Sequence, residues 1–328
     1  MKLRIKLFYA FIASILLMPI LAHSQSNEVI RDTSYTVYSA FNKYKKNYPF
    51  IKIVKPEMPD GILAKWNVVY QTYGNRKLHL DMFYPADTNK IYPAVLMVHG
   101  GGWNSGDRSL LVPLAQKLAD EDYITATLEY RLSPEAGYPA AVFDIKSAIR
   151  WLRANSEKYF IDTNRIAVLG TSAGGHLAAF VGATNGMKKF EQLTDNQNFS
   201  SNVQAIVDID GILDFTDPAE SGKDTNFAKP SVGKLWLGYA YKDNPSIWVE
   251  ASPLTYVDEK TPPTAFINSS FARFHAGRDE AIRILKKNNI YCEVHTLPET
   301  PHSFWLFHPW FEPTCKYVIG FLNHIFNK

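Results

Sequence analysis

From residue 94 to the C-terminus, short apolar runs rich in β-branched residues alternate with stretches of helical period, and that alternation leaves few folds open. Residues 94–98, 123–128, 166–169, 203–209, 264–268 and 291–297 read as strands. The first and third of these are apolar enough to be covered on both faces. Between them, residues 113–120, 141–155, 176–180 and 274–287 have helical character, and a last helix opens at Thr314. In 141–155 the apolar residues Val142, Ile145, Ala148, Ile149 and Leu152 share one side, while Lys146, Arg150 and Arg153 fall off it. Ahead of this series, residues 66–70 and 78–84 read as half-buried strands around a Gly74-Asn75 turn. The pattern predicts a mostly parallel sheet with helices on both faces. At 328 residues one such domain with an insertion is the natural size.

One junction in this series carries chemistry. Gly170-Thr171-Ser172-Ala173-Gly174 lies between a strand and a helix, the setting in which a Gly-x-Ser-x-Gly run becomes a nucleophile elbow. A serine on so sharp a turn needs glycine two residues to either side, where a side chain would collide with neighbouring backbone. The same turn lifts the hydroxyl out of the sheet and starts a helix whose first N–H, that of Ala173, faces charge developing on an attacked carbonyl.

A second glycine run strengthens the reading. His99-Gly100-Gly101-Gly102-Trp103 follows directly on the strand ending at Val98, and consecutive glycines let bare N–H groups turn inward. A phosphate-holding loop is excluded, because the Gly-Lys-Ser/Thr ending and the dinucleotide glycine spacing are both missing.

These two elements, with Glu129-Tyr130-Arg131-Leu132-Ser133-Pro134-Glu135 and Asp144 ahead of Trp151-Leu152, resemble the esterase/lipase branch of the α/β hydrolases from about residue 66 onward. Within that branch the chain looks like secreted bacterial carbohydrate esterases of the feruloyl, acetyl-xylan and pectin esterase type. The resemblance implies an α/β-hydrolase fold with an insertion after the sixth core strand. It also implies Ser172 as nucleophile, Gly101, Gly102 and Ala173 as oxyanion donors, and a late histidine as base. Residues 211–260, irregular and rich in aromatics, are the expected insertion and a candidate lid.

The order of this fold is serine, acid, histidine, so the base follows the last strand, and His302 stands there after Pro298-Glu299-Thr300-Pro301. His295 falls inside that strand, His275 in the preceding helical stretch, and His308 beyond an aromatic run. For the acid the chain departs from its relatives. They place Asp in the loop after the penultimate strand, which here reads Asn268-Ser269-Ser270. Asp210, at the C-terminal edge of the strand after the nucleophile helix, is the first candidate, with Asp208 one step deeper on the same face. Asp279 is the alternative, and Glu220 and Glu299 remain. Its task would be to fix the histidine tautomer and stabilise the imidazolium.

Residues 1–24 read as a cleavable export signal: a basic start, an almost wholly apolar stretch from Leu7 to Leu21, then Ala22-His23-Ser24. Residues 25–60 follow as a mixed polar lead-in to a hydrolase domain at 61–328. The expectation is an exported protein, periplasmic or secreted, with no membrane association after cleavage. Without the leader the 35 basic groups lose Lys2, Arg4 and Lys6 and match the 32 acidic ones, so no footprint for nucleic acid remains. Cys292 and Cys315 allow at most one disulfide. The histidines lack the close spacing of a zinc site, and neither metal nor organic cofactor is implied.

The reading is of a serine ester hydrolase working through an acyl-enzyme on an esterified plant-type polysaccharide. A small-molecule or lipid carboxylesterase is the alternative, ahead of a serine peptidase or a noncatalytic glycan-binding protein. Trp103, Trp305, Trp310 and the aromatics of 236–248 are candidates for stacking on sugar rings, lining an acyl pocket or filling the core. Arg273 and Arg278 are candidates for a basic subsite.

Overall fold

The computed structural model describes residues 32 and 34–326, apart from 134, 193–194 and 223–229. The expected export signal lies outside the described residues. Eight strands form one sheet: β1 (Ile62–Tyr73), β2 (Arg76–Pro85), β3 (Tyr92–Val98), β4 (Ile124–Leu128), β5 (Ile161–Thr171), β6 (Ala205–Ile209), β7 (Thr264–Ser269) and β8 (Cys292–Leu297). Their spatial order is β1-β2-β4-β3-β5-β6-β7-β8. Only the β1–β2 and β2–β4 pairings are antiparallel. This is the α/β-hydrolase architecture.

Helices close both faces because the strands have no polar side to offer. Every residue of β3, β4, β6 and β7 is buried. On one face α3 (Ala140–Ala154), α4 (Ala173–Ala183) and α5 (Arg278–Lys287) pack on Leu96, Val98, Val168 and Ile206. On the other, α2 (Val112–Asp120) and α6 (Phe311–Phe326) cover Val95, Met97, Leu169 and Val207. That second layer also takes in Ala40 of a short N-terminal helix, α1 (Val37–Tyr44), with Ile51 and Val54. Lys52–Ile53 then pairs antiparallel with Phe307–His308.

The order places the chemistry. From β3 the chain crosses to β4 on one side, and from β4 to β5 on the other side of β3. The loops leaving β3 and β5 therefore part company, and a crevice opens at the carboxyl ends of the strands. Register aligns those ends, with Val98 opposite Gly170 and Thr171 opposite Ile209. The insertion leaves after β6, as expected, and returns at β7 with the short helices Pro218–Ser221, Val232–Leu237 and Pro245–Glu250.

Two helical stretches hold more than their period alone conveys. Lys146, Arg150 and Arg153, off the apolar side of α3, are nonetheless buried. The Lys146 ammonium donates to the Thr184 carbonyl at 2.9 Å and to Glu191 at 3.0 Å; Arg150 shares Glu191, and Arg153 donates to the carbonyls of Ser200 and Asn202. A buried cation without such partners would cost several kcal/mol, and Thr184, Glu191, Ser200 and Asn202 supply them. The stretch 274–287 is not one helix either. A 3₁₀ turn at Ala272–His275 is cut off by Gly277 at φ +75°, and α5 begins afresh at Arg278. A Cβ at Gly277 would lie 2.9 Å from the Asp214 backbone nitrogen, so packing as well as backbone conformation demands glycine there. Cys292 and Cys315 are both free thiols.

Candidate active site

Ser172 sits on the turn from β5 to α4 with φ 54° and ψ −121°, a conformation that glycine, not serine, adopts freely. Its surroundings hold it there. A Cβ on Gly170 would lie 1.9 Å from the Gly174 carbonyl oxygen, and one on Gly174 would lie 2.0 Å from that of Val98. Either would drive elbow and sheet apart. The Ser172 N–H donates to the Ile209 carbonyl at 2.8 Å, and the His176 N–H to the Ser172 carbonyl at 3.0 Å. The helix behind is wholly buried and rich in small residues, which lets it start hard against the strand.

The loop after β8 carries His302 to this point. Its Nε2 stands 2.7 Å from Ser172 Oγ and its Nδ1 2.8 Å from Asp210 Oδ2. With Nδ1–H donating to the carboxylate, Nε2 is free to accept from the hydroxyl. The ring lies flat on Phe274, centroids 3.7 Å apart at 5°, and meets Trp305 edge-on at 5.3 Å. Burial lowers its pKa below the ordinary imidazole value; Asp210 opposes that shift, and the charges of Arg273 and Lys43 add to it.

Asp210 comes from the end of β6 and is fully buried. Its Oδ1 accepts the Ser269 N–H at 2.8 Å. That amide closes β7, just where related chains carry their acid. Here the position supplies a donor that holds a carboxylate from the neighbouring strand. Asp208 shares the face but turns away, accepting the Gly211 N–H at 2.7 Å, and burial pushes its pKa up to about 7.

The other candidates lie elsewhere. Asp279 is in the exposed first turn of α5, its side chain 77% accessible and paired with Arg278 at 2.8 Å. The helical character expected from residue 274 is interrupted at Gly277, which puts Asp279 at the start of α5. Glu220 is buried against Arg273, and Glu299 is exposed. His295 stacks on Tyr317, and His275 bonds the Ser269 carbonyl at 2.9 Å.

Ser172, Asp210 and His302 line a cavity of about 320 Å³ with Gly101, Gly102 and Ala173. Gly101 (φ +128°) and Gly102 (φ +61°) turn as only glycine readily can, and a Cβ on Gly101 would lie 2.1 Å from the Ser105 carbonyl oxygen. Among the described residues none of the three N–H groups has an acceptor. Three amides beside the serine are thus available to an oxyanion.

The large aromatics are mostly core. Trp103 stacks on Trp236 (5.2 Å, 16°) and donates through Nε1 to His176 Nδ1 at 3.2 Å, while His176 Nε2 meets the Ala251 carbonyl at 2.8 Å. Burial takes the His176 pKa down to about 4, so this imidazole stays neutral and serves as a bridge. These contacts tie the 99–103 loop to the insertion and bury Trp103 and Trp236; Trp248 beside them and Trp305 in the other core layer are buried too, so none of the four is free to stack on sugars.

Strand order, insertion and site together define a member of the α/β-hydrolase esterase/lipase superfamily. Within it the chain belongs to the BD-FAE family, whose model matches residues 80–284. Among curated proteins, Esterase LipC of Mycobacterium tuberculosis is 30% identical over 254 residues, covering 72% of this chain and 59% of the relative. LipM of the same organism is 28% identical over 247 residues and is covered to 56%. This chain therefore spans little more than half the length of the curated relatives it matches. Among solved structures, a truncated carbohydrate esterase from gut microbiota superposes with a TM-score of 0.71 at 24% identity, over 84% of this chain and all of that one. A bifunctional GH43-CE protein of Bacteroides eggerthii superposes at 0.69 with 27% identity, over 80% of this chain and 38% of that one.

Among the described residues no helix is long and apolar enough to cross a membrane, and no cluster of three or more metal-ligating side chains occurs.

Proposed function

We propose that this protein is a serine carboxylic-ester hydrolase that removes acetyl, methyl or feruloyl groups from an esterified plant-type polysaccharide. The observation that carries the reading is the hydrogen-bonded run Asp210–His302–Ser172, opening beside three unpartnered amides. Ser172 Oγ attacks the ester carbonyl carbon as its proton passes to His302 Nε2. The carbonyl oxygen takes the negative charge and is held by the N–H groups of Gly101, Gly102 and Ala173. On collapse the alcohol leaves with the proton from Nε2, and an acyl-serine remains. Water in the place vacated by the alcohol then attacks the acyl carbon as its proton passes to Nε2, and collapse returns that proton to Ser172 Oγ and releases the acid. The family match and the carbohydrate esterases among similar structures support the polysaccharide. Export, read from residues 1–24, accords with a polymer substrate outside the cytoplasm.

A small-ester carboxylesterase is the second reading. The modest cavity favours it, since this volume holds an acyl group and a short alcohol more readily than a chain of sugars. Incubation with methyl-esterified pectin, acetylated xylan and feruloylated arabinoxylan, with methanol, acetate and ferulate assayed separately, distinguishes the two. Release of one product from a polymer is the expected result. Turnover of nitrophenyl esters with none released from any polymer overturns the polysaccharide reading.

The reaction also sets a pH dependence. His302 must be neutral to accept the serine proton, and burial lowers its pKa from 6.5. Activity is therefore full above the ordinary imidazole range and falls on the acid side. The half-point of kcat/KM in a pH–rate profile is expected below pH 6.5. An acid limb centred above that value would contradict the buried base.

A further inference from the structure

One wall of the cavity is built by the N-terminal segment. Tyr35, Ser39, Ala40, Lys43 and Tyr44 all line it; the last four form one stripe of α1, and Tyr35 stands just ahead of the helix. The wall is fixed to the loop that carries the base. Tyr35 and Ser303, the residue after His302, share a 2.8 Å hydroxyl hydrogen bond, and burial raises the Tyr35 pKa far enough to keep the phenol protonated. Ala40 is buried, and the Lys52–Ile53 strand pairs just beyond the same loop. All of this lies outside residues 80–284, the part shared with the family model.

Lys43 stands exposed on this wall. Among the described residues no carboxylate comes within ion-pair distance of it, and its ammonium lies 5.1 Å from the centre of the Tyr44 ring. Arg273, also lining the cavity, lies over the Phe274 ring at 5.0 Å and is paired with the buried Glu220. Asp210 is spent beneath the imidazole. Formally these four charges cancel, but both carboxylates are buried, Glu220 against Arg273 and Asp210 beneath His302, so among the described residues Lys43 is the exposed charge that the opening presents without a counter-charge. A cleft of one sign raises the local concentration of ligands of the other.

We propose that Lys43 makes this cleft selective for esters whose own skeleton is anionic, with a carboxylate near the ester carbonyl on the acyl part or on an adjoining sugar. The inference rests on the ester-hydrolase reading and narrows its substrate to esters of acidic molecules, of which a partly esterified polyuronate is the polymeric form. Because Lys43 is exposed, its contribution is modest and falls as salt rises.

The test compares mono-4-nitrophenyl adipate with 4-nitrophenyl hexanoate, an anionic and a neutral ester of equal chain length. The wild-type ratio of their kcat/KM values is expected to favour adipate at low ionic strength and to collapse at about 0.5 M salt. Lys43→Gln lowers the ratio about fivefold and Lys43→Glu lowers it further. Lys45→Gln, at the C-cap of the same helix and off the cavity, leaves it unchanged. A ratio in Lys43→Glu equal to wild type, or a wild-type ratio indifferent to salt, overturns the inference and leaves the hydrolase reading standing. Failure of the wild type to cleave either ester, with Ser172 refusing a phosphonate, overturns both.

Discussion

Replacing Ser172 with Ala is expected to cut kcat for ester hydrolysis by about 10⁴-fold or more while barely changing the melting temperature. The two halves of this result have separate causes. The elbow is maintained by backbone hydrogen bonds from Ser172 N–H and to its carbonyl, and by the space left at Gly170 and Gly174. None of these involves the hydroxyl. Alanine accepts φ 54° no better and no worse than serine, and the lost contact is a single hydrogen bond to His302 at the edge of a cavity. Stability therefore changes by about 1 kcal/mol or less. Activity loses its nucleophile, and water attacking unaided must rely on the oxyanion amides alone. A serine-directed phosphonate gives the complementary readout, adding one adduct to the wild type by intact mass, localised to Ser172, and none to the variant. A variant that hydrolyses esters at the wild-type rate would remove Ser172 from the mechanism whatever its geometry.

The parts of the molecule legible in the sequence are those governed by local rules. The apolar run 94–98 can only be a covered strand, and Gly-x-Ser-x-Gly between strand and helix demands a particular turn; both depend on near neighbours. What escaped depends on distant ones. The burial of Lys146 and Arg150 is decided by Glu191, more than forty residues on, and no period within α3 announces it. The break at Gly277 is set by the Asp214 backbone packed against it, so a helical stripe from Phe274 to Leu285 looked continuous. The contribution of Tyr35, Ser39 and Lys43 was invisible for the same reason: a polar lead-in shows nothing of the wall it joins until Tyr35 meets Ser303, 268 positions away. A faint signal lies in Phe50-Ile51-Lys52-Ile53-Val54, which alternates weakly and contains the Lys52–Ile53 strand that pairs with Phe307–His308.

The identity of the acid turns on the second large effect. Asp210→Asn is expected to lower kcat about 10⁴-fold with KM little altered, whereas Asp279→Asn stays within about twofold of wild type. The amide is nearly the size of the carboxylate, and its oxygen can still accept the Ser269 N–H. Its nitrogen, however, presents hydrogens where Oδ2 accepted one from His302 Nδ1. The imidazole must then turn Nδ1 into an acceptor and carry its proton on Nε2, 2.7 Å from a hydroxyl it can no longer deprotonate. Asp210 also raises the His302 pKa against the lowering effect of burial, so the remaining activity of the variant should show its acid limb at still lower pH. Loss of packing alone would move the melting temperature and leave that limb in place. At Asp279 an exposed ion pair is all that is given up. A collapse of activity in Asp279→Asn, with Asp210→Asn spared, would mean that the loop after β7 rearranges in solution to bring the later carboxylate to the base, and the assignment made from β6 would fall.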